Sequence, residues 1–132
     1  MFVGTLQFEV LVRSSSSLKD KRRVVRSVKD TLHRRFQVSV AEVGSNEHLQ
    51  RALLGLAVVA PSAPRCGEVI DHALERLTSL RDGELGDHHR QITRFDQLPL
   101  RELDDQGNPL IDEPALNAEL LERGLEAERD QP

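Results

Sequence analysis

The chain has no Trp, no Tyr, one Cys and only four Phe in 132 residues. A single thiol, Cys66, supports neither an internal disulfide nor a thiolate metal cage, and its place on an apolar stripe suits a small hydrophobe. No run of about 18 apolar residues exists to cross a bilayer. Met1 leads straight into an alternating stretch, without the basic segment and cleavage site of a secretory leader. These absences predict a soluble, cytoplasmic protein with no membrane partner. There is also no glycine-rich phosphate loop, no nucleophile elbow and no pair of carboxylates on one face, and the serines at 14 to 17 have no partner base. His33, His48, His72, His88 and His89 are scattered, and adjacent strand residues such as His88 and His89 point to opposite faces, a poor geometry for one metal. Neither a catalytic residue nor a metal nor a cofactor is expected, so the chain reads as a non-enzyme.

What is present is enough for one small folded domain: 38% of residues are hydrophobic, and 8 are glycine. The net charge of −4 conceals a polarity along the chain. Nine bases lie between Arg13 and Arg35 against two acids, Asp20 and Asp30, whereas residues 97–132 hold ten acids against Arg101, Arg123 and Arg129. Such polarity decides which part of a surface attracts a polyanion.

Residues 2 to 13 alternate, with Phe2, Leu6, Phe8, Val10 and Val12 on one phase, the signature of a strand with one buried face. Ser17 followed by Asp20 resembles a capping box and predicts a helix starting near Leu18. On that helix Leu18, Val25, Val28, Leu32 and Phe36 share one arc, and Lys19, Arg22, Arg23, Arg26 and Lys29 share the opposite one. Gln37 to Val43 alternates again and closes at Gly44-Ser45-Asn46. His48 to Ala60 is apolar on both phases, as in a central strand. Pro61 and Pro64 flank the start of a second helix with the stripe Cys66, Val69, Ile70, Ala73, Leu74, Leu77 and Leu80. Asp82-Gly83 and Gly86 break the chain before a fourth strand, His89 to Phe95.

This order, βαββαβ, predicts an α+β ferredoxin-like sandwich over residues 1–96: a four-stranded antiparallel sheet with both helices on one face. Residues 97–132 read as an acidic extension, in part disordered or forming one short helix around Leu116, Leu120, Leu121 and Leu125.

Four stretches carry a resemblance: Phe2-Val3-Gly4, Ser17-Leu18-Lys19-Asp20-Lys21-Arg22-Arg23, Arg35-Phe36-Gln37-Val38-Ser39-Val40-Ala41-Glu42-Val43, and Leu54-Gly55-Leu56-Ala57-Val58-Val59. Together they resemble the YlxP-like family of small bacterial proteins of unknown function, over residues 1–96. The resemblance implies a ferredoxin-like fold, no assigned enzymatic activity, and genes often found beside those for translation initiation and ribosome maturation. The extension from Gln97 departs from the family pattern, in which chains typically stop soon after the fourth strand.

The basic helix is the leading functional candidate. Lys19, Arg22, Arg23, Arg26 and Lys29 suit RNA or a ribosomal particle, since phosphate contacts give sequence-independent affinity; the competing explanation is an ordinary solvated face. Lys21 sits in the helix's apolar arc, and Glu42 shares the phase of Val38 and Val40. The topology brings them to one end of the sheet, which predicts either a Lys21–Glu42 pair or a snorkelling Lys21. Base stacking on the open sheet face, as in the RRM, needs aromatics that the outer phase lacks. That phase offers Val3, Leu11, Leu53, Gly55, Ala57 and Val59, a surface expected to meet a second subunit or a returning segment of the chain. A homodimer through that face or a strand edge, or a module engaging an acidic partner, is the alternative to RNA binding.

Overall fold

The alternating apolar residues of the first strand place their side chains on one side, and two amphipathic helices close over it. In the computed structural model, residues 1–13, 16–44, 48–100, 102–110 and 120–124 are described. Ser14, Ser15, the turn at Ser45-Asn46, Leu116 and Leu125 lie outside them. The elements are β1 (Phe2–Leu11), α1 (Leu18–Phe36), β2 (Ser39–Glu42), β3 (Arg51–Ala60), α2 (Ala63–Leu77) and β4 (Glu84–Arg94). The four strands form one antiparallel sheet in the order β2-β3-β1-β4, the ferredoxin-like arrangement.

In register, Gly4 faces Val58, Leu6 faces Leu56 and Phe8 faces Leu54. The side chains of Leu6, Phe8, Leu54, Leu56 and Val58 join Val24, Val25, Val28 and Leu32 of α1 and Cys66, Val69, Ile70, Ala73 and Leu77 of α2 in one core. Each fully buried Val, Leu, Ile or Phe contributes about 1.5–3 kcal/mol, so this single cluster carries the fold. α2 packs close to the sheet at Gly4: a Cβ there would lie 3.0 Å from Ile70 Cδ1 and 3.1 Å from Cys66 Cβ.

Several element boundaries differ from those expected. β1 ends at Leu11, β2 covers only Ser39–Glu42, and β3 starts at Arg51 rather than His48. On α1 the buried positions include Val24, which the predicted arc left out, while Leu18 is 39% exposed at the helix's first turn. The largest difference is β4, which starts at Glu84 rather than His89. Its register against β1 shifts between Phe8↔His88 and Val10↔Leu85, so Gly86 and Asp87 together oppose Glu9. This is a β-bulge. A Cβ on Gly86 would come within 2.9 Å of Glu9 Cβ, so the glycine accommodates the bulge and does not end the strand.

The chain divides into two compact units, Met1–Phe95 and Asp96–Pro132. In the second unit, Leu103 bridges Pro109 and the Asp104 carboxylate accepts hydrogen bonds from the backbone of Gln106 and Asn108 at 3.0 and 2.8 Å. Gly107 takes φ 84°, a left-handed conformation that glycine adopts without strain. This small turn was not expected from composition. Residues 120–124 are helical.

Candidate nucleic-acid interface

Helix α1 starts at Leu18 because the Ser17 hydroxyl oxygen accepts the Asp20 N–H at 3.2 Å, and the Asp20 carboxylate in turn accepts from Ser16 Oγ at 3.3 Å. An acid in the first turn and His33, Arg34 and Arg35 in the last both complement the helix dipole. With one side of α1 held by the core, Lys19, Arg22, Arg23 and Arg26 stand exposed and Lys29 is half-buried. At about 1.5 Å per residue these five cations follow a ridge of about 15 Å.

None of the five forms an ion pair among the described residues; the carboxylates that pair do so elsewhere, as Glu84 with Arg13, Glu42 with Lys21, Glu9 with Arg51, Glu68 with Arg65 and Asp71 with Arg90. Asp30 lies on the ridge, four residues from both Arg26 and Arg34, yet Arg34 Nε donates to its backbone carbonyl at 3.3 Å rather than to its carboxylate. Like charges four apart, Lys19 with Arg23 and Arg22 with Arg26, each cost the helix about 0.2–0.5 kcal/mol. The ridge is therefore a small burden on folding.

Lys21 is on the opposite side of the same helix. It is 1% exposed, and its ammonium donates to the carbonyls of His48 at 2.7 Å and Arg51 at 3.4 Å. Glu42 Oε1 stands 3.8 Å from Nζ, an ion-pair distance but beyond a hydrogen bond, and this oxygen accepts none. The ammonium is sealed from water, which excludes snorkelling. Sequence pattern brought the two charges to one place; it could not show that backbone carbonyls are the nearer partners.

The open sheet face is less apolar than its β3 residues suggest. Val59 is 66% exposed, and Val3, Leu11, Leu53, Gly55 and Ala57 are half-buried. Between and beside them stand Thr5, Gln7 and Glu9 of β1 and, in register, His89, Gln91 and Thr93 of β4. No aromatic joins them: Phe2 and Phe36 pack against the core, Phe8 is inside it, and Phe95 follows β4. Near one end of this face an open hollow of about 440 Å³ is lined by Gln7, Glu9, His48, Arg51, Asp87 and His89, among others including His88. The histidines are scattered along the sequence, yet three of them, His48, His88 and His89, line this one hollow. Among the described residues no group of three or more His, Cys, Asp or Glu has the geometry to hold a metal ion. Glu9 is already held by Arg51 Nη2, which donates at 3.0 Å. No described helix is long and apolar enough to cross a membrane.

Comparison with known proteins finds relatives whose function is itself unknown. Residues 3–90 match a family model described as a protein of unknown function, DUF503. The uncharacterized protein YlxP of Bacillus subtilis (strain 168) is 28% identical over 92 residues, covering 70% of this chain and 95% of that protein. Among solved structures, the solution NMR structure of a de novo designed protein with a ferredoxin fold aligns with a TM-score of 0.47 at 13% identity, covering 76% of this chain and 92% of the designed one.

Proposed function

We propose, for a chain that belongs to the DUF503 family of proteins of unknown function, that it is a non-catalytic accessory protein whose α1 ridge binds the phosphate backbone of RNA, free or in a ribosomal particle. The observation that carries this reading is the set of five cations on one helical face, without carboxylate partners among the described residues, in a chain of net charge −4. Neutralising phosphates releases counterions, so affinity falls steeply with salt and depends little on sequence. The lack of aromatics on the open face fits backbone contact better than base stacking.

The test is retention of RNA across a salt series by the wild type and by Arg22→Glu/Arg23→Glu/Arg26→Glu. Binding by the wild type should weaken steeply with salt, and the triple variant, still folded by circular dichroism, should lose it at every salt concentration. Salt-independent binding, or a triple variant that binds as well as the wild type, would refute the proposal. The exposure of Val59 on the open face favours one further reading, a homodimer with no nucleic-acid role, in which the triple substitution leaves the mass in solution unchanged.

A further inference from the structure

The connection from α2 to β4 carries another cation up to α1. Leu80 packs against the core, and Gly83 lies so near the end of β1 that a Cβ would come 3.1 Å from the Leu11 carbonyl oxygen and 3.3 Å from Val10 Cγ1. These two contacts draw the intervening Arg81 and Asp82 against the helix. The result is a groove of about 270 Å³ lined by Arg23, Val24, Ser27 and Val28 of α1 and by Leu80, Arg81, Asp82 and Gly83 of the connection. Neither Arg23 nor Arg81 has an ion-pair partner among the described residues.

We propose that this groove is a phosphate subsite of the RNA-binding surface, in which one backbone phosphodiester sits between the guanidiniums of Arg23 and Arg81. The proposal rests on the reading of α1 given above and extends it off the helix. Guanidinium groups match phosphate oxygens in a bidentate geometry that an ammonium does not offer. One guanidinium comes from the helix and one from the connection that lines the same groove, so an anion there meets two elements, whereas the ridge itself offers one. Ser27 supplies a hydroxyl donor, and the apolar Val24, Val28 and Leu80 suit the carbon edge of the adjoining ribose. Asp82 opposes the anion, and its carboxylate weakens the subsite.

The experiment is fluorescence anisotropy of a labelled single-stranded RNA of mixed sequence with the full chain across a salt series. Arg81→Ala should weaken binding about 5-fold at low salt and flatten the slope of log affinity against log salt by about 0.7, the value for one single-strand phosphate. Arg81→Lys should recover part of that loss, and Asp82→Asn should tighten binding about 2-fold through removal of a like charge. Arg65→Ala is the charge-matched control: it removes a cation that is already paired with Glu68 at 3.0 Å, and it should leave the slope unchanged. If Arg81→Ala behaves as Arg65→Ala while the α1 triple variant loses binding, the subsite is wrong and the ridge stands. If the wild type binds no RNA, both are wrong.

Discussion

Lys21 shows how much one residue can decide. Among the described residues it is the one charged side chain that is fully buried, and its ammonium ties α1 to the carbonyls of His48 and Arg51, at the approach to and start of β3. A lysine in this place costs desolvation, which the two carbonyls and the Glu42 carboxylate beside it help to offset. Lys21→Met keeps the volume but strands those acceptors, and should lower stability by about 2–3 kcal/mol in urea unfolding. The figure lies near the low end because the Glu42 side chain as a whole is 23% exposed, although the Oε1 that faces Lys21 is buried. Adding Glu42→Gln to Lys21→Met removes the uncompensated charge and should return about 1 kcal/mol. A single-variant loss below about 0.5 kcal/mol would mean that the ammonium is not what secures this corner.

For whole elements, periodicity was a good guide to type and order and a poor one to ends. The six elements appear in the order read from the sequence because hydrophobic phase, 2 for strands and 3.6 for helices, is set by the residues that face the core. Ends are set by backbone hydrogen bonds and close contacts, which leave weaker marks. Gly86 looked like a break and instead forms a bulge beside Glu9. Gln37 looked like the first residue of a strand and instead closes α1 in a left-handed conformation, φ 53° and ψ 38°, its N–H donating to the His33 carbonyl. That second case gives a prediction. A glutamine pays a steric penalty there that glycine does not, so Gln37→Gly should raise stability by about 0.5–1 kcal/mol. Thermal unfolding reads this directly, and an unchanged or lower midpoint would show that the helix end does not limit stability.

Over the molecule as a whole, the polarity of charge was legible from the first count, and it is also the least local feature. Residues 97–132 carry ten acids and three bases, which leaves 15 bases against 12 acids in residues 1–96. The sign of the net charge therefore reverses when the extension is removed. If the ridge binds RNA, a chain of residues 1–96 should bind it about 3- to 10-fold more tightly than the full chain at low salt, with the gap closing as the Debye length falls. Filter-binding titrations of both chains at two ionic strengths decide it, and equal or weaker binding by the short chain would show that the extension does not oppose RNA. The ridge of α1 could be found from the sequence because all five cations lie within eleven residues. That Arg81 lies beside Arg23 could not, since only the fold brings these two together, more than fifty residues apart along the chain.

One feature of the first unit bears on how it comes apart. Phe95 N–H donates to the Met1 carbonyl at 2.8 Å, and the Met1 ammonium donates to the Phe95 carbonyl at 3.2 Å, beside the antiparallel pair Phe2↔Arg94. A tug applied through these two residues would load the β1–β4 ladder from one end, one rung at a time, and never all rungs together. Such unzipping resists force weakly, so a motor that threads polypeptides would meet little mechanical opposition here even where heat or urea meets a great deal.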